Sequence, residues 1–262
     1  MAGAEGRAIR TSDLVGVFWR SFFIQSSWSY KRMQSLGFAF ALIPVLRRLY
    51  PDRAEFASRL SAHMEYFNTQ PYLASFVLGA VARKEEERAA GWSTSDDPSA
   101  VKKTLMAPLG ALGDSYFWGG LKPLAAAVAV ASLLAGAWWA PLLFLALYNV
   151  VHVGLRAALV FAGYSTAGDV AALVSRFHIT RTARLFKVLS LSVIGCIAGT
   201  AAFWQQPFRP AIPLAGPAVP AAAIGVVLGL TALLRIGGTP VKLMIGLAAL
   251  CLALVLGGFW AP

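Results

Sequence analysis

Apolar positions along this chain fall into two regimes. From Leu14 to Leu49, aromatics such as Phe18, Trp19, Phe22, Phe23, Trp28, Tyr30, Phe38 and Phe40 are interleaved with Arg20, Lys31, Arg32, Arg47 and Arg48. That mixture predicts an amphipathic helix at a membrane interface or against other membrane helices. Thr11, Ser12 and Asp13 offer it an N-cap, and Pro44 should bend or end it. Pro51 and Asp52 open a second helical stretch through Leu60 to Tyr66.

The second regime is apolar without interruption. Four stretches, 123–155, 188–208, 210–234 and 243–262, hold no Asp, Glu, Lys or Arg. Each reaches or exceeds the roughly 20 residues that a helix needs to cross a bilayer. The first is broken by Gly136 and Pro141, so it reads as one tilted span plus a turn or as a hairpin of two pieces. The pattern predicts an all-α, polytopic helical membrane protein. It has amphipathic N-terminal helices, broken or re-entrant helices in its first half and several C-terminal transmembrane spans.

Composition agrees. Of 262 residues, 58% are hydrophobic and 13% charged, against about 25% charged in an average soluble domain. Residues 1–120 carry 14 Lys/Arg against 11 Asp/Glu; residues 121–262 carry 9 Lys/Arg against Asp169 alone. The chain therefore divides into a more polar region, 1–120, and a hydrophobic region, 121–262, acting as one functional unit. The net charge of +11 is the positive-inside signature of membrane loops rather than a nucleic-acid footprint. It places 169–187 in the cytoplasm. Met1 to Leu14 has no apolar core of a cleaved signal, so the N-terminus is expected in the cytoplasm too. Cys196 and Cys251 lie in apolar stretches as packing residues, and the three histidines share no metal-ligand spacing. No metal or cofactor is expected, and no catalytic motif is present. His152 reads as a core histidine, and Glu85-Glu86-Glu87 as a solvated face.

Two segments mix apolar residues with groups that lipid cannot satisfy. One runs from Glu65 through Asn68-Thr69-Gln70-Pro71-Tyr72; the other runs from Pro108 through Gly110 and Gly113 to Asp114-Ser115. Interrupted apolar helices bearing polar side chains point to a solute site facing protein or a wet cavity. Gln25, Trp28 and Arg32, spaced i, i+3, i+7, would share one helical face with it. The chemistry suits a sugar. The amides of Gln25, Asn68 and Gln70 both donate and accept. The carboxylates of Glu65 and Asp114 make charge-assisted bonds to hydroxyls, and Trp28 or Tyr72 can lie against an apolar sugar face. The plainer readings are packing for the aromatics, ion pairs with arginines for the carboxylates, and helix capping for Asn68 and Gln70.

Four motifs in one order carry a family resemblance: Ser21–Phe38, Glu65–Tyr72, Leu105–Gly119 and Leu142–Asn149. Over about residues 12–165 the chain resembles the IID membrane component of mannose-family sugar phosphotransferase systems (PTS). The resemblance implies a non-catalytic subunit in a bacterial cell inner membrane. With a IIC subunit it would form the channel for a hexose such as mannose, by alternating access, in a trimer of IIC–IID pairs. Soluble IIA and IIB proteins would relay phosphate, and IIB would phosphorylate the emerging sugar. Gln25, Asn68 and Gln70 fall on motif positions where the family could line the sugar site. The short Pro-rich segment 205–220 motivates a second reading, a non-transporting regulatory or scaffold subunit. A stand-alone secondary transporter ranks last, since the charge-free stretches hold no carboxylate for a coupling ion.

Overall fold

The structure, a computed structural model, describes residues 8–92 and 97–203 and a few single positions beyond. Helix α1, Thr11–Ser21, starts where the Asp13 carboxylate accepts the Arg10 backbone N–H at 2.9 Å. Helix α2 follows at Ser35–Leu49 and passes through Pro44 without ending. Between them the expected single helix gives way to turns. The cause is local: Ser26 Oγ donates to Phe23 O at 2.5 Å, and Ser29 Oγ accepts the Arg32 N–H at 3.3 Å. Serine side chains compete with the helical ladder in this way. Ser29 and Met33 then exchange backbone bonds of 3.3 and 2.7 Å. Gln25, Trp28 and Arg32 therefore do not share a helical face.

Helix α3, Arg53–Ala62, is capped by Asp52, whose carboxylate accepts the Glu55 N–H at 2.8 Å. Helix α4 is Ala74–Ala89. Helix α5, Pro98–Gly113, is capped by Asp97 and continues through Pro108. It leads into a π-helix, Asp114–Leu121, and then α6, Lys122–Leu134, so one helical rod crosses residues 120 and 121. A turn at Gly136 connects it to α7, Ala140–Thr166, which is the hairpin reading of 123–155. Ala167 and Gly168, both at positive φ, close α7. Helix α8, Val170–Phe177, capped by Asp169, and α9, Ile179–Phe203, complete the described helices.

Three of these are long and apolar enough to cross a membrane: Pro98–Leu134, Ala140–Thr166 and Ile179–Gly199. The last starts well before residue 188, so most of the expected loop 169–187 is helical. The most apolar window of α7 is only 22% buried within the chain, which leaves Leu142, Leu145 and Val150 facing outward. Outward apolar faces on long helices are what lipid requires. Apart from single positions, the expected stretches 210–234 and 243–262 lie outside the described residues, as do Cys251 and the Pro-rich segment 205–220. The described residues up to Leu191 form one compact unit, and α9 from Ser192 onward belongs to a second.

The core of the first unit gathers Phe38, Leu42, Leu46, Phe67, Phe76 and Phe117. Its tightest crossing joins α4 and α7, which run in the same direction. A Cβ at Gly79 would overlap the Val160 carbonyl oxygen, and one at Gly163 would overlap that of Phe76. Small residues that bring helix backbones together are a main source of packing energy in membranes. Gly154, also on α7, meets nothing within 4 Å. Gly163→Ala should therefore strip the protein from the membrane fraction or lower its melting temperature in detergent. Gly154→Ala should be neutral or stabilising by about 0.5–1 kcal/mol, the usual helical gain over glycine. Thermal melting of both variants measures the contrast.

Candidate functional site

The broken segment after Phe67 forms one wall of the site. Gln34, at the start of α2, fixes it twice: its Nε2 donates to Thr69 O at 2.8 Å, and its Oε1 accepts the Thr69 N–H at 3.1 Å. The backbone N–H of Gln34 also donates to Phe67 O at 2.8 Å. Thr69 Oγ1 donates to Met106 O on α5 at 2.9 Å. Gln70 caps the next helix, since its Oε1 accepts from Tyr72 N at 2.8 Å and Leu73 N at 3.0 Å. Among the described residues its buried Nε2 has no hydrogen-bond partner.

The facing wall is α5 with the first turn of the π-helix. It can approach because Gly113 has no side chain: a Cβ there would lie 2.5 Å from Gln70 Cβ. Between the walls is a cleft of about 390 Å³. Gln25, Gln34, Asn68, Gln70, Asp114 and Trp118 line it, with Thr69, Pro71, Met106, Ala107, Gly110 and Ala111. Among the described residues the lining holds one acidic group, Asp114, and no Lys or Arg. Its volume falls in the range of about 300–1,000 Å³ common for small-molecule sites.

Four of the residues singled out from sequence, Gln25, Asn68, Gln70 and Asp114, thus meet on one cleft. Trp28 and Glu65 do not line it. Trp28 packs edge-to-face on Tyr30 with ring centroids 4.8 Å apart. Glu65 pairs with Lys103 at 2.8 Å, and that hydrogen bond lowers its carboxyl below the ordinary value. Trp118 is the aromatic of the cleft. Gln34 and Trp118 do not stand out along the chain, because only tertiary folding joins residue 34 to 69 and both to α5.

The Glu85–Glu87 run is not a solvated face. All three residues are buried. Glu85 accepts from Tyr50 Oη at 2.6 Å and Arg59 Nη2 at 2.5 Å, and lies 2.8 Å from His63 Nε2. Burial alone would raise its carboxyl; the bonds from His63 and Arg59 outweigh that and hold it down at about 2. Burial and the Glu85 carboxylate push the Tyr50 hydroxyl above its ordinary value. Glu86 accepts from Ile9 N at 2.7 Å and Tyr164 Oη at 2.5 Å. Lys102 Nζ donates to His63 O at 2.8 Å and Glu65 O at 3.2 Å, close to the Phe38 and Phe67 rings. The cluster therefore anchors residues 63–67, which lead into the cleft wall.

On α7, His152 is buried, with Nδ1 at 3.3 Å from Asn149 Oδ1 and its ring centroid 4.1 Å from that of Tyr72. Tyr148 donates to the Tyr72 hydroxyl at 2.9 Å. Arg156 is also buried. In the sequence it looks like the charged end of 123–155; the signal overlooked is that Ala157 to Gly163 continue the apolar run beyond it.

Residues 8–210 match the family of mannose/fructose/sorbose PTS IID components. The chain belongs to that family. It is 37% identical over 193 residues to the mannose-specific EIID component of Escherichia coli K12, covering 73% of this chain and 68% of that protein. It is 37% identical over 153 residues to the sorbose-specific EIID component of Klebsiella pneumoniae, 58% and 56% of the two lengths. A cryo-EM structure of the mannose transporter ManYZ with microcin E492 matches 98% of this chain and 100% of that one, at TM-score 0.57 and 29% identity. A structure described only as a membrane protein matches 97% and 99%, at TM-score 0.73 and 30% identity. This IID protein is thus a membrane permease component of a mannose-type PTS.

A carboxylate held below its unfolded value stabilises the fold above that value and loses the effect as pH falls through the folded one. For Glu85 the window runs from about pH 4.5 down to about 2. Glu85→Gln should melt well below wild type at pH 7, and the gap should narrow as pH drops through that window. Melting of both purified IID proteins in detergent across this range measures it.

Proposed function

We propose that the cleft is this chain's share of the hexose path, completed by a IIC subunit. The carrying observation is its lining: the amides of Gln25 and Asn68, one carboxylate at Asp114, Trp118 and, among the described residues, no cation, with Gln70 and Thr69 shaping the wall through their own bonds. Amides that donate and accept match the hydroxyls of a neutral sugar, and a carboxylate strengthens one such bond. Trp118 offers an apolar surface to the sugar ring. In this reading the broken segments move the sugar between the two sides by alternating access. Phosphate passes from IIA to IIB, which traps the sugar at the cytoplasmic face; the IID chain does no chemistry itself. It sits in the bacterial inner membrane with its N-terminus in the cytoplasm, as part of a trimer of IIC–IID pairs. Trp28 and Glu65, off the cleft, have no part in the binding proposed.

The test is uptake and phosphorylation of radiolabelled mannose in cells that carry this chain with its IIC and IIB partners. Gln25→Ala with Asn68→Ala should raise KM by about tenfold, the effect of two lost hydrogen bonds of about 0.5–1.5 kcal/mol each. Asp114→Asn should raise KM with membrane abundance unchanged. Wild-type KM in both, at normal abundance, would overturn the assignment.

A further inference from the structure

Arg156 stands in the middle of α7, a helix long and apolar enough to cross the membrane, and is 3% exposed. No carboxylate among the described residues pairs with it. Its Nη1 donates to Ser21 Oγ at 3.0 Å and its Nη2 to Pro71 O at 3.3 Å. The guanidinium lies over two rings, 4.7 Å from the Phe22 centroid and 5.2 Å from that of Tyr72. A buried cation without a counter-ion is costly in a membrane helix, and such residues mark working sites.

The Pro71 carbonyl explains the placement. At the entry to α4, Ala74 N donates to Gln70 O at 3.0 Å and Ser75 N to Tyr72 O at 3.4 Å. The backbone ladder therefore steps over Pro71, whose oxygen is left for a side chain. An unpaired buried carbonyl carries the full desolvation penalty, and Arg156 supplies the donor. Pro71 and its neighbours Asn68 and Gln70 line the cleft. A guanidinium suits the task because its rigid fork reaches two acceptors at once and its plane stacks on rings.

We infer that Arg156 is a positioning residue for sugar binding. By holding the Pro71 carbonyl against Ser21 and α7, it sets the Asn68–Gln70 wall at the spacing that accepts sugar hydroxyls. The inference rests on the cleft being the hexose site. Its test is mannose uptake by the assembled IIC–IID complex with IIB, reading KM and Vmax separately and normalising to membrane-embedded IID. Arg156→Gln should raise KM about tenfold with Vmax per protein little changed. Arg156→Lys keeps the charge but not the fork that reaches both acceptors, and should raise KM less, about threefold, recovering part of the loss. If Arg156→Gln fails to accumulate, a raised KM in Arg156→Lys supports the positioning role by itself. Unchanged KM with uptake falling only as protein is lost, or failure of both variants to accumulate, would make Arg156 a packing residue and overturn the inference. Asn68→Ala run in parallel separates the two levels. A raised KM there with an unchanged KM in the Arg156 variants sinks the positioning role alone; an unchanged KM in Asn68→Ala sinks the hexose site and this inference together.

Discussion

Two helix backbones touch at Gly79 and Gly163, and the site depends on that contact. Because neither glycine carries a Cβ, α4 and α7 come close enough to act as one unit. Their shared direction puts Tyr72 beside His152 at one end and Glu86 beside Tyr164 at the other. The broken segment before α4 is thereby delivered to the polar face of α7. Separating the helices by one methyl group at either glycine would carry the Pro71 carbonyl away from Arg156. Packing energy here decides geometry as much as stability.

The second constraint is that the chain is buried at Thr69, Gln70 and Pro71, where the helix breaks. Every backbone group freed between Phe67 and Ala74 then needs a partner within the chain. Gln34 supplies two for Thr69, Gln70 caps the start of α4, and Arg156 takes Pro71. These residues come from three separate parts of the sequence. The cleft is therefore built as much by groups that silence backbone as by groups left free to face its interior. Asn68 illustrates the second kind, since its side chain is exposed to the cleft and spent on none of these bonds.

What could be read from sequence follows from this. Asn68, Gln70 and Asp114 stand out because they interrupt apolar runs beside a proline or glycines, a local signal. Gln25 also reaches the cleft, although the helical face that recommended it is absent; serines at 26 and 29 turn the chain instead. Glu85 looks solvated within a charged run, and nothing nearby announces that Tyr50, Arg59 and His63 converge on it from 22 to 35 residues away. Arg156 is hidden for the opposite reason. A single charge splits an apolar run in a hydropathy scan, whereas in the fold α7 continues past it for ten residues, to Thr166. Local pattern reveals breaks; it does not reveal which distant side chain repairs them.

The π-helix at Asp114–Leu121 has a consequence for how this protein can vary. Its wider turns absorb residues that an α-helix would not. Loss of one residue within it is taken up by a return to α-helical turns, whereas loss of one from the α-helical parts of the rod from Pro98 to Leu134 would rotate everything downstream by about 100°, the angle per residue of an α-helix. The face that α6 now turns to α7 would swing into lipid. Length is therefore fixed in the α-helical parts of the rod, while in the π-helix, which brings Asp114 and Trp118 to the cleft, identity is the quantity to seek in its relatives.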